Sequence, residues 1–250
     1  MKENIHYNRI VIKISGEGFC KQGKLGIDAE EVAFIAKEAV QAQSLGKQIA
    51  IVCGGGNIIR GGTLSAKGII KRTTADYMGM MGTLINSLAL QEAIEHLGVE
   101  TRVMSAIDVK AIAEPFIRRK AIRHMEKGRI VILAGGTGNP FFTTDTTAAL
   151  RASELNARIL MKATKVNGVY TDDPTKNPNA VKIPRLTYME VLNNHYKIMD
   201  ATAITLCMEN QLPILVFNLK QKGNLVRAVQ GENIGTIIAF EKGAEHGQCL

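Results

Sequence analysis

Short runs of apolar residues alternate along the chain with longer segments in which apolar residues recur every three or four positions. The short runs predict buried strands, and the longer periodic segments predict amphipathic helices. The predicted strands are 10–14, 48–52, 100–104, 129–133, 158–161, 212–217 and 236–240. Apolar strands that alternate with helices indicate a mainly parallel sheet, covered by helices on both faces and joined by right-handed crossovers.

Capping residues and glycines mark where the predicted helices begin and end. Asp28, with Glu31 three residues later, fits a capping box that opens a helix running to Leu45 and stopping at Gly46. Four more helices are predicted at 74–97, 115–127, 144–156 and 200–211. No linker, repeat or low-complexity segment divides the chain, so we expect a single domain over residues 1–250.

The composition fits a soluble globular protein. The 250 residues are 46% hydrophobic, enough to bury a substantial core. The apolar runs are strand-sized, well short of the roughly 20 residues that span a bilayer, and the N-terminal segment MKENIHYNRI has no apolar signal-peptide region. The cysteines are far apart and lack a C-x-x-C pair: Cys20, Cys53, Cys207 and Cys249. We expect a cytoplasmic protein in a reducing compartment, without a membrane partner.

The formal net charge of +8 raises the possibility of a nucleic-acid partner. Such binding predicts a basic stripe with interleaved aromatic residues. The densest basic segment, residues 118–129, has only Phe116 near it. We therefore favour a solvated helix face, together with attraction of small anionic substrates, over nucleic-acid binding.

The loop after the first strand contains lysines and glycines but is not a Walker-type phosphate loop. Gly18-x4-Gly23-Lys24 fits G-x-x-x-x-G-K-[ST] until its last position, where Leu25 replaces the hydroxyl residue that binds Mg²⁺. The next helix also begins too late, after Asp28. Lys13, inside the apolar strand, is either an edge-strand lysine or a lysine that points at an anion.

Two further glycine-rich loops follow predicted strands. In CGGGNIIRGG, residues 53–62, successive glycines let the backbone approach a ligand closely, and Arg60 can add a bidentate phosphate contact. In AGGTGNPFFTTDTTAA, residues 134–149, hydroxyl and amide side chains suit polar recognition. Asp145 in this loop either caps the next helix or orients lysines, or Mg²⁺, around a transferring phosphoryl group.

The fourth region is MKATKVNGVYTDDP, residues 161–174, in which Lys162 ends a strand. Tyr170 could stack on a base or pack against the loop. Asp172 and Asp173 fit a solvated turn before Pro174. Because three glycine-rich loops suited to phosphate accompany it, we favour the interpretation of residues 161–174 as a site for a nucleotide base and ribose.

The four loops place Lys13, Arg60, Lys162 and one carboxylate at the carboxyl edge of the predicted sheet, where such sheets bind ligands. No histidine or cysteine nucleophile with a base partner is apparent, and the five histidines form no H-E-x-x-H motif. This set of residues suits phosphoryl transfer, in which the protein mainly positions two substrates and neutralises charge.

The ordered motifs KISGE, GGGN-x-x-RG, AGGTGNPFFTTD and KATKV-x-GV-x-x-x-DP resemble the amino-acid-kinase superfamily and, within it, the bacterial uridylate (UMP) kinases, from Arg9 to about Ala239. The resemblance implies a three-layer α/β/α sandwich of carbamate-kinase type, with an acceptor-side lobe at about 1–160 and an ATP-side lobe at about 161–250. It also implies transfer of the ATP γ-phosphoryl group to UMP in pyrimidine biosynthesis, without a covalent enzyme intermediate. Mg²⁺ would arrive with ATP, and the protein itself would hold no metal.

The resemblance also implies roles for individual residues. Lys13 stabilises the transition state, Lys162 faces the donor phosphates and Asp145 orients both lysines, while Arg60 binds phosphate. The implied ATP contacts are Lys13, Ile14, Ser15, Gly16, Gly56, Arg60, Thr164, Tyr170 and Asp173. The implied UMP contacts are Gly55, Asp76, Thr137, Gly138, Asn139, Pro140, Phe141, Phe142, Thr143 and Thr144. Asp76 would bind the ribose hydroxyls, although its place near the start of helix 74–97 also suits an N-cap.

Members of this family are typically homohexamers, activated by GTP and inhibited by UTP. Arg102 and Arg129 resemble positions linked to the GTP response. The apolar residues of helix 74–97 fit an interface or the core equally well. Two alternative functions stay open: a superfamily kinase acting on a carboxylate or carbamate, and a non-catalytic nucleotide sensor or DNA-binding regulator.

Overall fold

The computed structural model describes residues 7–66, 68–174, 176–196 and 198–241. Its central sheet has nine strands in the order β4-β3-β5-β2-β1-β6-β10-β11-β9, and β7 pairs with β8 separately. The strands are β1 Arg9–Ile14, β2 Gln48–Cys53, β3 Thr101–Ser105, β4 Glu114–Pro115, β5 Ile130–Ala134, β6 Ile159–Thr164, β7 Val169–Tyr170, β8 Lys182–Ile183, β9 Arg185–Leu186, β10 Ile214–Asn218 and β11 Thr236–Ile238. Neighbouring strands of the large sheet are parallel except β10 and β11, which confirms a mainly parallel sheet.

Helices cover both faces of the sheet, as predicted. They are α1 Ala29–Gln43, α2 Gly61–Ala66, α3 Arg72–His96, α4 Arg118–Glu126, α5 Thr144–Glu154, α6 Tyr188–Asn193, α7 Ala201–Glu209 and α8 Asn224–Val229. Alternate residues of β1 serve two cores: Ile10, Ile12 and Ile14 pack with α1, α3 and α8, while Val11 packs with α4, α5 and α7. Burial on both faces explains why the central strands are continuous apolar runs, and the three-layer α/β/α architecture is confirmed.

All seven predicted strands are present, but one helix boundary was wrong. The helix predicted at 115–127 begins only at Arg118, because Glu114–Pro115 forms β4 beside β3. Most of the basic segment then lies on α4, where Arg118, Arg119 and Lys120 are exposed, which supports the solvated-face interpretation. The prediction also missed the short elements β7, β8, β9, α2, α6 and α8.

The predicted cap of α1 is half right. The Asp28 carboxylate accepts hydrogen bonds from the Glu30 and Glu31 amides, which confirms the N-cap. The reciprocal half of the capping box is wrong, because the Asp28 amide donates to the Phe19 carbonyl and the Glu31 carboxylate pairs with Lys220. The backbone amide of Asp28 and the side chain of Glu31 therefore bond to other parts of the protein and not to each other.

The cysteine, signal-peptide and membrane expectations can be compared with the described residues only in part. Cys20, Cys53 and Cys207 are buried free thiols, whereas Cys249 lies outside the described residues. The predicted absence of a signal peptide concerns a segment whose residues 1–6 are likewise outside them. None of the described helices combines the length and the apolarity needed to cross a membrane.

Candidate active site

Lys13 lies in the middle of the sheet, near the carboxyl end of β1. Because β1 is flanked by β2 and β6, the edge-strand interpretation of this lysine is wrong. Its side chain is buried, with 6% of the residue exposed. On the adjacent strand, Lys162 is its register partner, so the two ammonium groups are held side by side by the backbone ladder.

Asp145 stands between the two lysines. Its carboxylate oxygens lie 2.9 Å from Lys13 Nζ and 2.7 Å from Lys162 Nζ. The N-cap of α5 is Thr143, whose hydroxyl accepts hydrogen bonds from the Asp145 and Thr146 amides. The capping interpretation of Asp145 is therefore wrong, and its carboxylate is left to hold the lysines.

The charges of this cluster favour an anion. Burial alone would raise the pKa of the Asp145 carboxyl, but the Lys13 and Lys162 ammonium groups outweigh it and hold that pKa below its usual value. Burial lowers the pKa of Lys162, and Asp145 offsets this only in part. Lys13, Lys162 and Asp145 together carry one positive charge, and the Asp200 carboxylate also acts on Lys162. Two poorly solvated ammonium groups at the strand ends are suited to binding a phosphate group.

The glycine loop after β2 is shaped mainly by the protein's own packing. A Cβ atom on Gly54 would lie 2.6 Å from the Gly16 amide nitrogen, and one on Gly55 would lie 2.6 Å from the Gly79 carbonyl oxygen in α3. The missing side chains of Gly54 and Gly55 thus make room for the protein's own backbone. A Cβ atom on Gly56 would meet only the Arg60 side chain, at 3.8 Å, so Gly56 is the open position.

Arg60 follows this loop and pairs with a residue that sequence reasoning did not assign. The Arg60 guanidinium contacts the Glu17 carboxylate, which also lies 3.8 Å from Lys165 Nζ. More than half of the Arg60 side chain is exposed, at 58%. Glu17 thus pairs with Arg60 from the loop after β2 and with Lys165 from the loop after β6.

Asp76 joins α3 to the loop after β5. It is the fifth residue of α3, whose N-cap position is Lys71, so the N-cap interpretation is wrong. The Asp76 carboxylate accepts hydrogen bonds from Arg72 Nε at 2.8 Å and from the Phe141 amide at 2.8 Å. Phe141, which has a φ of +74°, and Phe142 are exposed at this point.

A cavity of about 680 Å³ opens beside the same loop. Thr137, Asn139 and Phe142 contribute its loop side, and Thr146, Thr205 and Glu209 contribute walls from α5 and α7. Leu150, Ala201 and Leu206 also line this cavity, so it is mainly apolar and carries a few hydroxyl, amide and carboxylate groups. Such a lining can recognise a polar ring through its edge and its face.

Three of the predicted ATP contacts, Ile14, Ser15 and Thr164, lie together between the ends of β1 and β6. A small pocket there is lined by Ser15, Thr164, Lys165 and Lys220 among others. The Thr164 hydroxyl lies within hydrogen-bond distance of the Val166 and Phe217 carbonyls, at 2.8 and 3.0 Å, so it is engaged within the fold. Tyr170 is half-buried in β7, and Asp173 lies in an exposed turn.

Comparison with known proteins decides the family. The sequence model of the Amino acid kinase family matches residues 8–218. The chain belongs to the amino acid kinase family. A UMP kinase from Bacillus anthracis has a similar structure with a TM-score of 0.90 and 39% identity, covering 93% of this chain and 96% of that chain.

Two further UMP or uridylate kinases have similar structures. The UMP kinase from Ureaplasma parvum gives a TM-score of 0.87 and 38% identity, covering 93% of this chain and 99% of that chain. The uridylate kinase from Archaeoglobus fulgidus gives a TM-score of 0.71 and 26% identity, covering 92% of this chain and 99% of that chain. The amino acid kinase fold therefore extends over nearly the whole chain.

Arg102 and Arg129, which resemble positions linked to a GTP response, lie near the amino ends of the strands, opposite the lysine cluster. Arg102 is near the amino end of β3, and Arg129 immediately precedes β5. Both contact the Glu100 carboxylate, Arg129 Nε at 2.7 Å and Arg102 Nη2 at 3.5 Å. The structure thus brings the two arginines together, but away from Lys13.

Sequence reasoning missed Asp200, which supports the first turn of α5, the helix that carries Asp145. Asp200 accepts a hydrogen bond from the Thr146 hydroxyl at 2.8 Å and another from the Thr143 hydroxyl, and it also caps α7 through the Ala203 amide. It therefore couples the first turns of α5 and α7. The available signal was an aspartate at the start of a predicted helix, which pointed only to the cap.

Proposed function

We propose that this protein is a UMP kinase that transfers the γ-phosphoryl group of Mg·ATP to UMP, giving ADP and UDP. The observation that carries the proposal is the Lys13–Asp145–Lys162 cluster, which holds two ammonium groups side by side at the carboxyl ends of β1 and β6. The similarity to UMP kinases at 39% and 38% identity supports UMP as the acceptor.

The chemistry is direct transfer. A phosphate oxygen of UMP attacks the γ-phosphorus while the bond to the β–γ bridging oxygen of ATP breaks and ADP leaves. The UMP phosphate is largely deprotonated at neutral pH, since its second pKa is near 6, so no protein base is needed. Burial raises the pKa of the Cys53 and Cys207 thiols to about 12, which argues against either as a covalent nucleophile.

The lysines then supply electrostatic stabilisation. Lys13 stabilises negative charge on the transferring group, Lys162 faces the donor phosphates, and Asp145 orients the two ammonium groups. Arg60 binds phosphate by exchanging its Glu17 partner for the nucleotide. Charge neutralisation is suited to a reaction that mainly needs positioning.

Mg²⁺ is part of the Mg·ATP substrate in this proposal. Within the described ranges, no group of three or more His, Cys, Asp or Glu residues could hold a metal ion. The Asp145 carboxylate is already balanced by two ammonium groups, so it is a poor metal ligand. The cation neutralises the donor phosphates when it arrives with ATP.

We place UMP in the acceptor half, about 1–160, and ATP in the donor half, about 161–250, with the strand-end loops meeting between them. Asp76 binds the ribose of UMP, and residues 137–144, with the Gly55 backbone, enclose the nucleotide. Residues 14–16, Gly56, Thr164, Tyr170 and Asp173 surround ATP. The cavity beside Thr137, mainly apolar with a few polar groups, is of the kind that binds small molecules and supports this acceptor assignment.

The wider role follows from the same proposal. The enzyme acts in the cytoplasm in pyrimidine nucleotide synthesis, as a homohexamer activated by GTP and inhibited by UTP. Exposed Tyr77, Met81 and Ile85 form an apolar stripe on α3, spaced four residues apart, which supports self-association. The shared Glu100 partner of Arg102 and Arg129 supports their joint part in the effector response.

The decisive experiment measures ADP release from Mg·ATP with UMP, CMP, dUMP, aspartate, acetylglutamate and carbamate offered separately. We expect turnover with UMP far above turnover with every other acceptor. Turnover with a carboxylate or carbamate instead would reject UMP while keeping the kinase chemistry. Failure with every acceptor, with and without GTP, would favour a nucleotide sensor.

A further inference from the structure

Three polar side chains face the core from one side of α3. Thr83, Asn86 and Ser87 are buried, each with 2% or less of the residue exposed. Burying such groups is unfavourable unless they are hydrogen-bonded. All three have partners, and for Thr83 and Asn86 these partners lie in the loops of the candidate site.

Thr83 holds the beginning of the acceptor loop. Its hydroxyl accepts a hydrogen bond from the Gly135 amide at 2.8 Å and donates to the Met80 carbonyl at 2.7 Å. Gly135 has a φ of +75°, and a Cβ atom there would lie 2.9 Å from the Ser105 hydroxyl. The loop therefore leaves β5 in a conformation that only glycine adopts easily, and Thr83 fixes its first amide.

Asn86 holds the glycine loop after β2 through a buried amide pair. Its Nδ2 donates to the Gly54 carbonyl and to Asn57 Oδ1, both at 2.7 Å. Asn57 Nδ2 donates back to Asn86 Oδ1 at 3.0 Å and to the Gly26 carbonyl at 2.8 Å. One helix thus anchors two site loops and the segment that precedes α1.

We propose that Thr83 and the Asn86–Asn57 pair form a polar clamp that sets the distance between the acceptor loop and the glycine loop during phosphoryl transfer. These are positioning residues, since their polar groups bond to the loops of the candidate site. The proposal rests on the proposed function, because it concerns the placement of UMP against ATP. Misplacement by about 1 Å at a distance from the chemistry can reduce a rate by about 100-fold, so a rigid support of this kind is valuable.

The test compares Thr83→Val, which keeps the shape but loses the oxygen, with Thr83→Ser, which keeps it. Loss of one hydrogen bond of this kind corresponds to about a three- to ten-fold change. We expect Thr83→Val to lower kcat/KM for UMP by this factor while KM for Mg·ATP changes less than about two-fold, and Thr83→Ser to restore it. Equal effects on both substrates, or no rescue by serine, would overturn the clamp.

Ser87→Ala is the matched control. The Ser87 hydroxyl is equally buried but donates to the Thr83 carbonyl within α3, and its other partner is Cys53 in β2 rather than a site loop. We expect it to lower stability without a selective effect on UMP. The same loss of UMP kcat/KM in Ser87→Ala would show that general loosening of α3, rather than the clamp, is responsible.

A readout without turnover separates this proposal from the proposed function. Amide hydrogen exchange of the free protein should accelerate at residues 134–139 in Thr83→Val and at residues 54–57 in Asn86→Ala, but at neither segment in Ser87→Ala. If the wild-type chain does not phosphorylate UMP, the proposed function fails and exchange alone decides the clamp. Unchanged exchange at both segments would overturn the clamp whatever the activity.

Discussion

Replacing Asp145 with asparagine tests whether its carboxylate balances the two buried lysines. The oxygens lie 2.9 and 2.7 Å from the ammonium nitrogens. At an effective dielectric constant of about 20, each attraction is worth roughly 6 kcal/mol before desolvation is counted. Removing one partner of a buried pair typically costs about 3–5 kcal/mol. Because Lys162 can release its proton, we expect a loss near 3 kcal/mol in the free energy of unfolding at pH 7.

The pH dependence gives the sign of the effect. The pKa of Asp145 is lowered in the folded state, so its contribution to stability is present above the unfolded value near 3.8 and is lost as the pH falls through the folded value. The free energy of unfolding of Asp145→Asn should therefore fall less than that of the wild type as the pH drops below about 4. Without the carboxylate the pKa of Lys162 falls further, and the unfolded state binds more protons at alkaline pH. The deficit of the variant should therefore shrink as the pH rises from 7 towards 10.

Urea unfolding across this pH range measures both effects, with Asp108→Asn as the control. Asp108 pairs with Lys110 at 3.1 Å, but 65% of its side chain is exposed, so its replacement should change stability by less than about 1 kcal/mol. Inorganic tripolyphosphate should stabilise the wild type, because an anion can pair with the two ammonium groups. A deficit below 1 kcal/mol for Asp145→Asn, constant from pH 7 to 10, would refute the charge-balance argument.

Three further predictions test separate parts of the structure. Lys13→Ala should give a normal circular dichroism spectrum but lose about 10²–10³-fold in kcat, and near wild-type turnover would remove Lys13 from the mechanism. Asp76→Ala should raise KM for UMP far more than KM for ATP in steady-state assays, whereas equal increases would indicate only a loosened Phe141 loop. Glu38, buried in α1, accepts hydrogen bonds from the Gly223 and Leu225 amides at 2.6 and 3.2 Å. Glu38→Gln should lower the urea-unfolding free energy by about 1–3 kcal/mol without changing KM, and an unchanged free energy would contradict its role as a cap for α8.

The large elements could be predicted from the sequence because each carries its own signal. The central strands are buried on both faces and are therefore continuous apolar runs, and α1 and α3 end where Gly46 and Gly98 adopt φ values of +74° and +85°. The short elements have too few residues for periodicity. For α6 a local signal existed, since Thr187 and Glu190 form a complete capping box. For α8 the cap is supplied by Glu38, 185 residues before Gly223, so no local pattern could show it.

The candidate site, like the fold, was predictable only where the signal is local in sequence. The loops and their charged residues follow directly from the strand ends, but the choice between alternatives depended on contacts distant in sequence. Lys13 is a central lysine only because β6 pairs beside β1. Asp145 and Thr143 are both good cap residues, and the structure selects Thr143 because the Asp145 carboxylate is held by lysines from two strands.

The glycines show why the site is rigid. Gly54 and Gly55 are needed for backbone contacts with Gly16 and with α3, leaving only Gly56 with an open face. The same helix holds these loops through Asn86 and Thr83 and carries Asp76. The transfer we propose needs neither a protein base nor a covalent intermediate, so its rate depends on where two phosphate groups are placed. A central helix that anchors the loops through buried contacts, beside two lysines held in register, meets that requirement.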